Sequence, residues 1–227
     1  MKSGFILAVV LTMSLYVATK AFSDNVAATK HNLSVGSSET IRATTAGYDQ
    51  ICAFCHTPHG ANSDKLVPLW NHTSSVQSFT PYNSSTFNGG TVTIGGATLA
   101  CLSCHDGVTA LNDIVNNPGS GAGTDPAIQG LDGTNSLNAG IPTNLGTDLS
   151  TSHPVGFVYA TSSGADSDIN PANTAISGWD GATTISGLLR SGNLECASCH
   201  NPHDNTNGML LRRSNSNSAM CTTCHNK

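Results

Sequence analysis

All eight cysteines of this 227-residue chain fall within four copies of one pentapeptide, Cys-x-x-Cys-His. The copies begin at Cys52, Cys101, Cys196 and Cys221 and end at His56, His105, His200 and His225. Zinc ribbons and dithiol redox sites use the same cysteine spacing, but neither requires a histidine directly after the second cysteine. With nine histidines in the chain, a given position is histidine about one time in 25, and four accidental matches would arise roughly once in several hundred thousand such chains. Two thiols three residues apart can each form a thioether with a vinyl group on one edge of a haem, and the adjacent imidazole is then placed to bind the iron. The cofactor expected is therefore four covalently attached haem c groups. Cys52, Cys55, Cys101, Cys104, Cys196, Cys199, Cys221 and Cys224 would hold them, with His56, His105, His200 and His225 as proximal iron ligands. No cysteine is left for a disulfide or a lipid anchor.

Residues 1–23 read as a signal peptide. Lys2 supplies the positive start, Phe5 to Val17 is almost continuously apolar, and Ala21-Phe22-Ser23 offers small residues at both cleavage-determining positions. The apolar run is too short for a membrane span. Residues 24–227 are expected to form a single tetrahaem domain, with haems 1 and 2 in 24–110, a long haem-free loop region in 111–190, and haems 3 and 4 in 191–227. Only 5% of the chain is aromatic, which argues against a large conventional core and leaves four porphyrins to supply the missing apolar surface. Without Lys2 and Lys20, seven basic side chains face fourteen acidic ones. Each ferric haem with two ionised propionates adds about one further negative charge. Nucleic acid is excluded as a partner on this balance.

Between Asp106 and Glu195 the chain is rich in Gly, Asn, Ser and Thr, as in Asn116-Asn117-Pro118-Gly119-Ser120-Gly121 and Ser162-Ser163-Gly164-Ala165-Asp166. This composition breaks helices and favours turns. The short apolar runs Leu111 to Val115 and Val155 to Ala160 mark ordered contacts within it. Thr91 to Ile94 and Val155 to Tyr159 are candidate strands, and one or two helical turns are expected at each haem motif. The fold class expected is mostly coil with short helices and a few short strands, a multihaem cytochrome c fold organised around four covalently bound haems.

Five histidines remain for four distal iron positions. Met209 is the one methionine free to compete, since Met1 and Met13 leave with the signal and Met220 abuts Cys221. Axial ligands approach iron from opposite faces, so a histidine three residues from a proximal one cannot reach the far face of the same haem. In His56-Thr57-Pro58-His59 and His200-Asn201-Pro202-His203, the second histidine must therefore serve a different haem or none. The proline disfavours helix at the residue before it and turns the second imidazole away from the first. His31, His59, His153 and His203 are the leading candidates for distal ligands, and His72, beside Trp70, is the fifth.

Several segments together carry a resemblance: Lys30-His31-Asn32-Leu33-Ser34, CAFCHTPHG from Cys52, PLWNH from Pro68, CLSCHDG from Cys101, SHPVGF from Ser152, CASCHNPHD from Cys196 and CTTCHNK from Cys221. They resemble the exported doubled-CxxCH multihaem c-type cytochromes of metal-reducing bacteria, over nearly the whole mature chain. In size, haem number and motif order the likeness is to filament-forming tetrahaem members. The resemblance implies an electron conduit in which stacked and perpendicular haem pairs alternate along a file that runs on through a homopolymer. It also implies that one iron takes its distal histidine from a neighbouring subunit, with His59 the position that matches and His31 the next. Upstream periplasmic or outer-membrane cytochromes and external electron acceptors are the partners implied, and the location implied is extracellular or on the cell surface.

The expected function is electron transfer along bis-histidine haems, not enzymatic catalysis. The alternatives are a monomeric periplasmic shuttle with every ligand satisfied inside one chain, and a multihaem oxidoreductase with one open iron position. After denaturation, the secreted product is expected to retain four equivalents of iron porphyrin per chain by its pyridine haemochrome spectrum; a colourless product or a lower count would overturn the reading of the motifs.

Overall fold

A computed structural model of the chain describes residues 26–64, 67–118 and 123–226. The expected signal peptide, residues 1–23, lies outside them. The described chain is mostly coil with a few short helices and strands, as the sequence implied. Three two-stranded antiparallel ladders tie it together. β1 (Arg42–Ala43) pairs with β2 (Ile128–Gln129), β3 (Phe157–Val158) pairs with β6 (Asn193–Leu194), and β4 (Ala175–Trp179) forms a hairpin with β5 (Ala182–Thr184). Among the described residues no helix is long and apolar enough to cross a membrane.

Helix accompanies every Cys-x-x-Cys-His motif, but not equally. The first motif starts in a 3-10 turn, Ile51–Phe54, and the third and fourth carry single helical turns, α3 (Cys196–Cys199) and α4 (Cys221–Cys224). The second sits at the end of α1 (Gly96–His105), which begins five residues ahead of Cys101 and exceeds the one or two turns expected. Ala97, Leu99, Ala100 and Leu102 are good helix formers, and Thr98, Ala100, Leu102 and Ser103 are buried. The helix stops at Asp106, whose N–H still donates to the Leu102 carbonyl, and Gly107 then turns the chain with φ of +72°.

Two expectations need correction. Thr91 to Ile94 form no strand: the Thr93 N–H donates to the Gly156 carbonyl at 2.7 Å, but no ladder follows. At that contact the backbones are so close that a Cβ on Gly156, itself at φ +82°, would stand 2.5 Å from the Thr93 oxygen, so a turn there replaces a continuing strand. In Val155 to Tyr159 only Phe157 and Val158 pair. Tyr159 instead opens α2 (Tyr159–Ala165), through the Ser-Ser-Gly run that composition marks as helix-breaking. Burial of Tyr159 and Ser162, one turn apart, and donation from the Tyr159 hydroxyl to the Asn170 carbonyl at 2.8 Å outweigh local propensity.

The loops between the second and third motifs are held by their own polar side chains. Asp132, Asn144, Asp148 and Asp166 each accept, through Oδ1, from the backbone N–H two residues ahead. Such side-chain turns give a Gly- and Asn-rich segment defined structure without a hydrophobic core. Apolar packing is divided among small clusters. One gathers Ala43, Tyr48, Phe54, Ile114 and Ile128 with Cys55 at its edge; a second gathers Phe157, Tyr159, Ile185 and Leu194 with Cys224 at its edge; the third joins Trp179, Ala182 and Leu188 to Met220. Each lies against a motif.

Among the described residues, the most heavily bonded buried side chain is Asp106, directly after His105 and only 1% exposed. It accepts from the Ser75 hydroxyl at 2.6 Å, the Thr109 hydroxyl at 2.7 Å, and the N–H groups of Val108 and Thr109 at 2.8 and 2.7 Å. Burial alone would raise its pKa, but these bonds outweigh burial and hold it below the ordinary carboxylate value. Asp106→Asn is expected to cost about 2–3 kcal/mol. The folded pKa lies below the unfolded one, so the carboxylate's contribution is complete above the unfolded value and disappears as acid protonates the folded group. Thermal midpoints of the two proteins, compared across pH, should differ most at neutrality and converge as pH falls below about 4.

Candidate haem-attachment sites

Six of the nine histidines direct Nδ1 at a backbone carbonyl. His56 meets Pro68 at 2.8 Å, His105 meets Thr143 at 2.8 Å, His200 meets Met209 at 3.1 Å, His153 meets Pro154 at 3.0 Å, His72 meets Thr73 at 2.9 Å, and His31 meets Pro202 at 3.4 Å. A carbonyl only accepts, so each of these Nδ1 atoms carries a proton, and in the neutral ring Nε2 keeps its lone pair. This is the tautomer and orientation that a metal-binding imidazole requires. Burial, followed by the proximity of His105, lowers the His31 pKa to about 4, and burial also lowers that of His105. Both are neutral at physiological pH, the form that can ligate.

The structure brings three motif histidines to three of the candidate distal ones. Ring centroids are 6.0 Å apart for His105 and His31, 6.1 Å for His56 and His203, and 6.3 Å for His225 and His153. A metal bond of about 2 Å on each side, plus about 1 Å from each nitrogen to its ring centre, puts two axial imidazoles roughly 6 Å apart. The residues therefore fit an iron held between each pair. His200 has no imidazole facing it at this separation among the described residues, and neither has His59; both are exposed. Met209, the methionine that could compete as a ligand, is 83% exposed and serves His200 through its carbonyl instead.

His72 is placed differently. It is 1% exposed, its Nε2 has no hydrogen-bond partner, and the Nε1 of the adjacent Trp70 is also buried and unpaired. Its ring contacts Trp70 and not a motif histidine. Burial works to lower the His72 pKa, but the neighbouring Cys104 thiol outweighs burial and lifts it to about 9. That lift requires an ionisable sulfur, which a thioether is not.

The first and third motifs are built alike. His56 and Trp70 form an antiparallel bridge, as do His200 and Leu211. Thr57 N–H donates to Leu69 and Asn201 N–H to Leu210; Asn71 N–H donates to Cys55 and Arg212 N–H to Cys199. Even the side chains correspond, since Asn71 Nδ2 donates to the Ala53 carbonyl and Arg212 Nη1 to the Ala197 carbonyl. Neither Asn71 nor Arg212 is marked by its local sequence, and the carbonyl of Thr143, distant in sequence from His105, gave no signal at all. Beside the first motif an open cleft of about 380 Å³ has Cys52 and His56 on its wall, together with Gln50, Leu69, Asn71 and Pro118.

Consecutive motifs are also neighbours through their sulfurs. None of the eight cysteines is joined to another in a disulfide. Burial and then Cys104 push Cys55 up to about 12, while burial and then Cys224 push Cys199 up to about 11. The Cys101 thiol, against that of Cys196, is held well above its usual range by their hydrogen bond and by burial.

Residues 189–227, which contain the third and fourth motifs, match the family model described as Doubled CXXCH motif. No curated protein matches the chain. The family match supports a doubled-CxxCH, multihaem c-type cytochrome-like protein with covalently bound haem c and a part in electron transfer. His153→Ala should leave haem content unchanged but convert one haem to a high-spin absorption spectrum. His72→Ala should leave the spectrum low-spin. The opposite pattern would exchange the roles of these two histidines.

Proposed function

We propose that this protein is an exported tetrahaem cytochrome that carries electrons along a file of bis-histidine haems and polymerises into an extracellular filament. The observation that carries the electron-transfer reading is the approach of three motif imidazoles to three others at the separation one shared iron requires. When bound, each haem supplies a one-electron iron centre, and close haems exchange electrons without a substrate being transformed. His105 and His31, His56 and His203, and His225 and His153 are the intrachain axial pairs in this reading. The carbonyls of Pro68, Thr143, Met209, Pro154 and Pro202 fix ring orientation. The proximity of Cys55 to Cys104, Cys101 to Cys196, and Cys199 to Cys224 favours haems that succeed one another in motif order.

The filament rests on what is left over. His200 and His59 are the motif and non-motif histidines that are both exposed and without a facing ring. A second copy supplying His59 to the iron on His200 satisfies both, and because donor and acceptor sites differ, the contact is head-to-tail, the kind that runs on as an open filament when its rotation closes no ring. His31, already paired with His105, is not needed for this role. The partners upstream are other exported cytochromes, and those downstream are external electron acceptors.

The monomeric shuttle remains as a second reading because His72 offers a buried, unpaired Nε2 within the same chain. Size-exclusion chromatography and negative-stain microscopy of His59→Ala separate the two. The filament reading expects wild-type polymers and a monomeric variant with four haems, one of them high-spin. Normal polymers and a wholly low-spin spectrum in the variant would contradict it.

A further inference from the structure

The second and third motifs are separated by 95 residues in sequence, yet α1 packs against α3. One buried carboxylate sits at that seam. Glu195 is 4% exposed and its Oε2 accepts from the Thr98 N–H of α1 at 2.9 Å. Its own N–H donates to the Ser198 hydroxyl at 3.0 Å, and the N–H of Cys196 donates to the Thr98 hydroxyl at 3.3 Å. Thr98 and Ser198 are themselves buried, at 0% and 1% exposure. A small network thus locks the start of the helix carrying Cys101 to the start of the turn carrying Cys196.

The same carboxylate lies within electrostatic reach of both sulfurs, Cys101 and Cys196. No cation stands at ion-pair distance from it among the described residues. The nearby guanidinium groups of Arg190 and Arg212 are engaged at the other end of the turn, on the carbonyls of Ala197 and Ser198. An unneutralised negative charge in a buried setting stabilises ferric over ferrous iron, and it acts on every metal close enough to feel it.

We infer that Glu195 is a positioning residue that fixes the second haem against the third and, through its buried charge, holds the reduction potentials of both below those of the other two. This rests on the proposed tetrahaem reading. The third motif's cradle is otherwise the counterpart of the first, and the first has no acid at the matching place: Ile51 stands before Cys52 where Glu195 stands before Cys196.

The test is a spectroelectrochemical titration of wild type, Glu195→Gln and Glu195→Ala, each isolated as the native haem-loaded protein. Glu195→Gln keeps an acceptor for the Thr98 N–H but removes the charge. It is expected to retain haem content and a low-spin spectrum while two of the four components of the titration move to more positive potential. Glu195→Ala removes the hydrogen bond as well and is expected to lower the thermal midpoint, which Glu195→Gln largely restores. An unchanged titration curve in Glu195→Gln, a negative shift, or an equal shift of all four components would overturn the inference. A wild-type protein with fewer than four haems would overturn the tetrahaem reading instead, so the two failures are distinguishable.

Discussion

The hydrogen bond from an imidazole Nδ1 to a backbone carbonyl is the interaction on which this arrangement depends. A histidine side chain has two rotatable bonds and two nitrogens, and nothing in a Cys-x-x-Cys-His pentapeptide settles which nitrogen points outward. The carbonyl does. For His56 and His105 it comes from 12 and 38 residues away, and for His31 from 171 residues away. Placing the loops therefore places the rings. Pro68, Thr143 and Pro202 orient these rings through their backbone oxygens, and a metal-binding imidazole held in this way keeps its Nε2 lone pair free.

The same dependence explains why so little regular structure suffices. Among the described residues, apolar packing is divided among three small clusters, and strand pairing among three ladders with strands of two to five residues. Each cluster abuts a motif, so in the proposed reading covalent porphyrins complete cores that side chains only begin. The polar loops do not compete with that packing. Asp132, Asn144, Asp148 and Asp166 accept from their own neighbouring N–H groups, which satisfies those donors without a sheet or helix.

What the sequence made legible follows from how local each signal is. The four motifs and the coil-dominated fold are local, and they read directly. The pairings of His31 with His105 and of His153 with His225 depend on chain reversals that no spacing encodes. His72 illustrates the difference: its flanking residues said nothing of its burial, and only packing against Trp70 and Cys104 sets it apart from its competitors. Asp180-Gly181 joins β4 to β5 and is a hairpin signal that was open to reading. The helix at Tyr159 was not, because the buried Tyr159 ring and its bond to Asn170 override a Ser- and Gly-rich composition. The likeness of the first and third cradles was equally hidden, since Asn71 and Arg212 share a position but not a chemistry.

The central claim is that every iron in the native assembly is closed on both faces by imidazole. Electron paramagnetic resonance of the fully oxidised native assembly, with spins counted against total iron, tests this most directly. Low-spin bis-imidazole signals accounting for all four ferric ions per chain are expected. A high-spin ferric signal of one equivalent or more in that intact assembly would contradict it.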